Sequence, residues 1–332
     1  MRANSEAIDV VYLWCDGSDP QFKKEKELLL KNLNQVHDES VDGDIRFSDN
    51  CELKYSLRSV NQNLPWVNHI YIVTNRQRPA WLVQSNRVTI VVHTEIIPNN
   101  LLPTFNSVMI EMYIDKIPGL AEKFLFSNDD MFVNHKLLPE FFFERNKPIV
   151  RLVKDFKRWQ FTSFDDALLA FYNPKTSSYR KSLINAWMLF CSRHGLSNFY
   201  MCTHNVDSFT KTMYRDIKKI YPELLSHNNT PFRSDKNIQR VIFQMEMAKT
   251  QGCPLKIENG LSFIQKRLPS LFRGKVNFFE GTESEKTWER IRKIEPKLFC
   301  LNSASGADGQ VKQRSRQLLD ELFPTQSPFE CV

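Results

Sequence analysis

The sequence lacks the signatures of several common enzyme classes. Its 332 residues contain no GxGxxG, GxxxxGKS/T or GxSxG motif, which argues against dinucleotide-binding, P-loop and α/β-hydrolase enzymes. There is also no CxxC pair and no HExxH motif, so no spacing of this kind indicates a zinc site. No recognised nucleic-acid-binding motif appears. Any chemistry must therefore come from polar residues that are scattered along the chain.

Long apolar runs are also missing. No run approaches the ~20 residues that a membrane-spanning helix needs, and the start of the chain, MRANSEAIDV, lacks the apolar stretch of a signal peptide. The seven cysteines are odd in number, which favours free thiols in a reducing compartment. We therefore expect a cytoplasmic protein, with at most a peripheral position on the cytoplasmic face of a membrane.

The bulk composition is that of a globular protein. Hydrophobic residues make up 42% and charged residues 25% of the chain, and its length predicts one large domain or two lobes. The net charge of +7 comes from 45 basic and 38 acidic residues. An excess of this sign suits anionic partners such as nucleotide phosphates, an anionic polymer or a lipid surface.

Strand and helix patterns alternate in the first part of the chain. Apolar runs predict strands at 7–14, 69–75, 88–93 and 123–133, and helices at 22–35, 49–65 and 104–117. Asp49 is the expected N-cap of the second helix, with Glu52 three residues later at capping-box spacing. This order predicts an α/β sheet that is flanked by helices.

The strand pattern fades after about residue 136. Helices are predicted at 177–195, 207–225, 236–252 and 310–324, with one further strand at 297–302. We therefore expect an α/β core of the nucleotide-binding type to about residue 135, followed by a helical lobe that returns to the same sheet.

The predicted strands of the first part end in polar residues. Asp16 and Asp19 follow the first strand, Asn75 closes the second, His93 closes the third, and Asn128-Asp129-Asp130 interrupt the last. Ligands of open α/β sheets lie beyond the carboxyl ends of the strands. The adjacent Asp129 and Asp130 are suited to holding Mg²⁺ against a diphosphate. A surface turn that bonds its own backbone explains the same residues and stays open.

Three other residues each allow a structural and a functional interpretation, and a fourth, Arg233, has a functional one. Asp9 begins an apolar strand, where aspartate is disfavoured, so it either makes a structural pair or faces a ligand. Arg58 lies on a solvated helix face or clamps a phosphate. His204 precedes a predicted helix, either as an ordinary cap or as a general base. Arg233 would neutralise charge on a transferred phosphoryl group.

Several segments together resemble the Stealth proteins, a family of hexose-1-phosphate transferases. The family includes bacterial capsular polysaccharide phosphotransferases and the animal N-acetylglucosamine-1-phosphotransferase of lysosomal enzymes. The segments similar to its first two conserved regions are DVVYLWCDGSDP, DNCELKYSLRSVNQNLPWVNHIYIVTN, VTIVVHTEIIP, LPTFNSVMIE and FLFSNDDMFV. The segment CTHNVDSFTKTMYRDIKKIYPELLSHNNTPFRSDKNIQ is similar to the third region, and KLFCLN with LLDELFPTQSPFE is similar to the fourth.

The resemblance implies a fold and a reaction. The implied fold is a glycosyltransferase-A-like α/β core, with a nucleotide-sugar-binding sheet in residues 1–135 and a mainly helical lobe in residues 136–332 that completes the same catalytic domain. The donor would be a nucleotide sugar, usually a UDP-linked hexose or N-acetylhexosamine such as UDP-GlcNAc. An acceptor sugar hydroxyl attacks the phosphate next to the sugar, nucleoside monophosphate leaves, and a phosphodiester forms in a capsular or cell-surface polysaccharide.

The resemblance also assigns residues by their position in the family's motifs. The implied donor-binding residues are Asp9, Arg58, Asn75 and Asn106, the implied catalytic residues are His204, Arg233 and Asp49, and the implied ligands of Mg²⁺ or Mn²⁺ are Asp129 and Asp130. The chain departs from the family in the fourth region, because Leu301-Asn302-Ser303 stands where Leu-Asn-Asp is frequent. Whether this region has a carboxylate role in metal or acceptor binding therefore stays open.

Two further functions stay open at this point. A glycosyltransferase would move the sugar alone and release nucleoside diphosphate, whereas a non-enzymatic module would only bind a glycan or nucleotide sugar. The expected partners are a nucleotide-sugar donor and a glycan acceptor, with no nucleic acid. The segment QKRLPSLFRGK at 265–275 fits either peripheral membrane association with the capsule machinery or an ordinary exposed segment.

Overall fold

The structure, a computed structural model, describes residues 7–34, 38, 41–154, 160–258, 263–303 and 309–331. In chain order its strands are β1 Ile8–Leu13, β2 Ile70–Thr74, β3 Val88–Val92, β4 Lys123–Asn128, β5 Met131–Val133, β6 Phe143–Glu144, β7 Lys147–Pro148, β8 Val150–Lys154, β9 Tyr200–Cys202, β10 Asp207–Thr210, β11 Leu255–Ile257, β12 Phe278–Thr282 and β13 Leu298–Asn302.

Helices connect these strands and cover the sheets. In chain order they are α1 Pro20–Asn32, α2 Glu52–Asn63, α3 His93–Ile96, α4 Ser107–Glu111, α5 Phe164–Tyr172, α6 Ser178–His194, α7 Lys211–Ile220, α8 Glu223–Asn228, α9 Val241–Thr250, α10 Phe263–Arg267, α11 Glu285–Ile294 and α12 Gly309–Leu322. Short 3₁₀ helices lie at Asp44–Phe47, Asn99–Leu101, Ile114–Lys116, Pro139–Phe141 and Pro269–Phe272. Within these described ranges, no helix is both long and apolar enough to cross a membrane.

A five-stranded sheet in the order β10-β4-β1-β2-β3 forms the centre of the molecule. Strands β1 to β4 are parallel, and β10 runs antiparallel to β4 at one edge. Val10, Val11 and Tyr12 of β1 are all fully buried, as expected for a strand with both faces covered, where the sequence is apolar without alternation. The predicted mixed α/β architecture, a central sheet flanked by helices, is confirmed.

The segment 123–133 is two strands rather than one. After β4 ends, the chain turns at Asp129 and Asp130, and β5 then joins a separate sheet of order β12-β13-β5. In that sheet Met131 lies opposite Cys300 of β13. The prediction of a single strand was wrong because the residues on both sides of the turn are equally apolar. An apolar run indicates that a segment is buried, but it does not indicate which sheet the strand joins.

Several other predicted elements differ from those in the structure. The helix predicted at 207–225 begins instead with β10, whose Phe209 packs against Phe124 of β4 with ring centroids 5.8 Å apart. The helix predicted at 104–117 is reduced to α4 and a 3₁₀ turn. Helix α2 begins at Glu52, and Cys51 is its N-cap residue, so the N-cap prediction for Asp49 was also wrong.

The second part of the chain contains more strands than its sequence pattern indicated. Strands β6 to β13 all lie beyond residue 136, and the sheet of order β11-β8-β9 is built entirely there. The second part of the chain contributes to the first sheet, because β10 pairs with β4. The strands predicted at 7–14, 69–75, 88–93 and 297–302 and the helices at 22–35, 177–195, 236–252 and 310–324 are confirmed, with shifts at their ends.

Arg58 joins the end of the chain to α2. Its Nε and Nη2 atoms donate to the Glu330 carboxylate at 2.9 and 2.7 Å, and Nη1 donates to the Phe323 carbonyl at 3.0 Å. Both charged side chains are buried. Arg58 therefore does not lie on a solvated helix face, and its hydrogen bonds go to Glu330 and Phe323 rather than into the main cleft. Its contacts hold the segment after α12 against the sheet's covering helix.

We expect Arg58→Met to reduce the free energy of unfolding by about 3–5 kcal/mol, because it leaves the buried Glu330 carboxylate without its guanidinium. Arg292→Met is the matched control, since Arg292 makes a similar pair with Glu321 on the surface and should cost at most about 1 kcal/mol. Denaturant unfolding followed by circular dichroism measures both. Equal stability losses in the two variants would contradict the role given to Arg58.

Candidate active site

A cleft of about 530 Å³ opens at the carboxyl edge of the central sheet. Its walls come from segments that are far apart in the sequence. They include the end of β1, the 3₁₀ helix before α2, helix α4, the turn after β4, the loop after β9, the middle of β12 and the end of β13. The charged side chains among its lining residues are Arg46, Glu52, His93, Glu111, Asp129, Asp130, His204, Arg233, Arg240 and Glu280.

Asp129 and Asp130 lie on the wall where the chain leaves the central sheet. Burial, followed by the charges of Asp130, Glu52 and Asp49, raises the pKa of the Asp129 carboxyl well above its usual range. The Oδ2 atom of Asp130 accepts from the Cys300 thiol at 3.3 Å. Its Oδ1 atom is buried and has no hydrogen-bond partner within the described ranges. Carboxylates crowded in this way fit a bound cation, which would offset their mutual repulsion.

His204 lies in the loop after β9 and faces the same turn. Its Nδ1 lies 3.3 Å from Oε1 of Glu280, and its Nε2 lies 3.4 Å from the Asn128 side-chain nitrogen. Burial alone would lower the pKa of His204, but Asp130 and Glu280 outweigh burial and raise it above its ordinary value. Donation from Nδ1 to the carboxylate leaves Nε2 as the acceptor of a proton. This arrangement is suited to a general base.

Arg233 supplies positive charge to the cleft. Its Nη2 atom donates to the Ser107 hydroxyl at 2.7 Å, whereas its buried Nε atom has no hydrogen-bond partner in the described parts of the chain. Burial lowers the pKa of Arg233. Burial and the charge of Arg233 together lower the pKa of Arg46, in the same cleft, to about 9. Two guanidinium groups that line one cleft, with the charge of one lowering the pKa of the other, suit an anion such as a phosphate.

Asn106 does not line the cleft, but it holds in place the segment that carries Arg233. It is fully buried and caps α4, because its Oδ1 accepts from the Val108 amide at 3.1 Å. Its Nδ2 donates to the Thr230 carbonyl at 3.1 Å and to Oδ1 of Asn237 at 3.2 Å. These bonds join α4 to the segment that carries Arg233. A donor-binding role for Asn106 would therefore be indirect.

The remaining residues assigned from the sequence lie outside the main cleft. Asp9 lies at the amino end of β1, opposite the cleft, and its carboxylate accepts from the Asn68 side chain at 2.8 Å and from the Ala121 amide at 2.7 Å. The structural interpretation of Asp9 therefore fits its contacts, as it does for Arg58. Asn75 follows β2 and donates to Glu25 at 3.0 Å, beside a smaller neighbouring pocket.

Asp49 lies near the cleft without lining it. Its Oδ1 atom accepts from the Trp14 indole at 3.1 Å, and burial raises its pKa. Its charge contributes to the raised pKa of Asp129. A catalytic role for Asp49 stays a prediction.

Three residues of this site were missed by the reasoning from sequence. Arg46 precedes α2 in a segment without a recognisable pattern. Glu280 lies on β12, a strand that the sequence did not predict, although an acid between the apolar Phe278-Phe279 and Gly281 was a usable signal. Cys300 was placed on a strand but given no role. One ligand atom each from Asp130, His204 and Cys300 lies within 4.8 Å of the others.

Comparison with known proteins identifies similar sequences. Residues 46–150 match Stealth protein CR2, conserved region 2. The capsular polysaccharide phosphotransferase LcbA of Aeromonas hydrophila is 34% identical over 322 residues, covering 95% of this chain and 84% of that protein. The exopolysaccharide phosphotransferase cps2G of Lactiplantibacillus plantarum is 27% identical, covering 97% and 96%.

Other relatives match over a shorter length. The capsular polysaccharide phosphotransferase of Actinobacillus suis is 43% identical over 142 residues, which cover 42% of this chain and 38% of that protein. The chain thus spans well under half the length of this relative and of the two Actinobacillus pleuropneumoniae proteins like it. Among solved structures, the galactosyltransferase LgtC aligns with a TM-score of 0.42 at 9% identity, covering 96% of this chain and 98% of that chain. A similarity this weak says nothing about chemistry.

We expect Glu280→Gln to lower the pKa of His204, because the lost carboxylate is one of the charges that raise it. Nuclear magnetic resonance titration of the imidazole in excess chelator measures this shift. Glu246→Gln is the matched control, since Glu246 contacts a different histidine, His194, at 2.7 Å. A pKa of His204 that is unchanged in Glu280→Gln, or lowered equally in the control, would contradict the pairing.

Proposed function

Since the chain belongs to the Stealth protein family, we propose that it is a hexose-1-phosphate transferase. It transfers sugar-1-phosphate from a nucleotide sugar to a sugar hydroxyl of a glycan acceptor and releases nucleoside monophosphate. The proposed donor is a UDP-linked hexose or N-acetylhexosamine, with UDP-GlcNAc as the first candidate. The product is a phosphodiester linkage in a capsular or cell-surface polysaccharide, and we place the reaction in the cytoplasm.

The observation that carries this proposal is the presence of opposite charges in one cleft. Crowded carboxylates at Asp129 and Asp130 fit a divalent cation, and the guanidinium groups of Arg46 and Arg233 fit phosphoryl oxygens. A donor diphosphate needs both, because its oxygens carry several negative charges. Mg²⁺ or Mn²⁺ held by the two aspartates would neutralise part of this charge when the donor is bound.

His204 is the proposed base for the attacking hydroxyl. The acceptor hydroxyl gives its proton to Nε2, while its oxygen forms a bond to the phosphorus next to the donor sugar. The bond from that phosphorus to the bridging oxygen breaks, and nucleoside monophosphate leaves with the electron pair. Glu280 holds Nδ1 and stabilises the imidazolium that forms. Arg233 stabilises charge on the phosphoryl oxygens during the transfer.

The released nucleotide tests this reaction directly. We expect the purified chain, incubated with a panel of UDP-sugars, glycan acceptors and Mg²⁺, to release UMP, and we expect excess chelator to stop the release. Chromatography of the nucleotides gives the result. Release of UDP would show transfer of the sugar alone, and binding of a UDP-sugar without turnover would show a binding module. Full activity in chelator would contradict the cation at Asp129 and Asp130.

We expect His204→Ala to lower turnover by about 10²–10⁴-fold, which is the usual contribution of a positioned base. Donor affinity should change little, because the base contacts the acceptor hydroxyl. In the wild type, activity should fall as the pH falls through the raised pKa of His204, since only the neutral imidazole accepts the proton.

His135→Ala is the control for this variant, because His135 bonds the Glu295 carbonyl outside the cleft. Turnover, donor binding by calorimetry, and circular dichroism are measured for each protein. Wild-type turnover in His204→Ala would show that the base lies elsewhere, and Asp49 would then be the next candidate.

A further inference from the structure

Asp130, His204 and Cys300 bring three kinds of ligand atom close together beside the cleft. One carboxylate oxygen, one ring nitrogen and one sulfur all lie within 4.8 Å of one another. Cys300 comes from β13 and is fully buried, and its Sγ lies 3.3 Å from Oδ2 of Asp130. The proposed transfer reaction gives this thiol no role. The sulfur is therefore an unexplained group beside the cleft, in contact with a carboxylate that lines it.

The surroundings of these atoms are those of a metal-ligand set. A histidine that binds a metal almost always donates its other ring N–H to a carboxylate, a backbone carbonyl or water, and Nδ1 of His204 lies 3.3 Å from the Glu280 carboxylate. Asn302 donates to the same Glu280 oxygen at 2.8 Å and fixes it. The buried Oδ1 of Asp130 has no partner among the described residues. His204 is thus held through its other ring nitrogen, and the Asp130 and Cys300 side chains contact each other.

We propose that Asp130, His204 and Cys300 bind a borderline-soft transition metal ion, and Zn²⁺ is the first candidate. Thiolate and imidazole ligands select such ions, whereas Mg²⁺ is bound by oxygen ligands. A site with three protein ligands also leaves a fourth position on Zn²⁺ for water or another oxygen. On binding, the Cys300 thiol loses its proton to solvent and its sulfur bonds to the metal, so binding strengthens as the pH rises.

Occupation by this ion is incompatible with the transfer reaction. The soft ion takes the His204 nitrogen that would accept the acceptor's proton, and it takes the Asp130 carboxylate that would hold Mg²⁺ or Mn²⁺. We therefore expect Zn²⁺ to inhibit the enzyme in competition with the activating cation. This inhibitory consequence rests on the proposed function, whereas the binding itself does not.

Cobalt substitution tests the site without any substrate. Co²⁺ added to the chelator-treated, full-length chain should bind one equivalent and give the near-ultraviolet absorption of a cobalt–thiolate bond, which Zn²⁺ then removes. Cys300→Ser should abolish that absorption. Cys202→Ser is the matched control and should keep it, because Cys202 lines the same cleft but is not one of the three ligands. Glu280→Gln should weaken Co²⁺ binding by about 10–100-fold, since it removes the support of the histidine ligand.

Two outcomes would overturn the proposal: Co²⁺ bound without thiolate absorption, or the same absorption in Cys300→Ser. Circular dichroism checks that each variant is folded, and His204→Ala, which changes a half-buried loop residue, provides a second variant that should weaken binding. Activity is measured separately, as Zn²⁺ inhibition of nucleotide release at fixed Mg²⁺ in the wild type and in Cys300→Ser. Thiolate absorption in a chain that releases no nucleotide would support the metal site and reject the transferase.

Discussion

The repulsion between adjacent carboxylates at the end of β4 is the constraint on which the rest of the cleft depends. Asp129 and Asp130 occupy the turn where the chain leaves the central sheet, and burial there raises the pKa of Asp129, with Asp130, Glu52 and Asp49 adding to the effect. Such a concentration of negative charge is stable only with opposite charge nearby. His204 lies across the turn, where Asp130 and Glu280 raise its pKa against the effect of burial, and a bound cation would offset the remaining repulsion.

The buried arginines differ in their hydrogen-bond partners, and this difference distinguishes those that stabilise the fold from one that can bind a ligand. Burial would lower the pKa of Arg240, but Glu111 and Asp207 outweigh burial and raise it above its ordinary value, and Arg240 donates to Asp207 at 2.7 Å. Arg58 is similarly paired with Glu330. Arg233 instead donates to a hydroxyl, and its pKa is lowered. An arginine that already has carboxylate partners stabilises the fold, whereas one without them is available to an anionic ligand.

The cleft also depends on contacts that join the two parts of the chain. Strand β5 pairs with β13, which brings Cys300 opposite Met131, next to the aspartates. Asn106 ties α4 to the segment that carries Arg233. The proposed base, the carboxylates proposed to bind a cation and the arginines that line the cleft therefore come from different elements. A cleft built in this way can form only when the whole sheet arrangement has formed.

The sequence by itself determined the central strands, the position of Asp129 and Asp130 at the end of one of them, and His204 and Arg233 as candidates. These features follow from local patterns. An apolar run indicates a buried strand, and a polar residue directly after it indicates the edge of the sheet at which that strand ends. Only the tertiary structure decided that the strands on the two sides of Asp129-Asp130 belong to two sheets. It also placed Asp9 at the amino end of β1, opposite the cleft. It also decided that Arg58 pairs with a residue 272 positions away, and that Glu280 and Cys300 meet His204. Such partners depend on long-range contacts, and local periodicity does not specify which distant residue completes a buried pair.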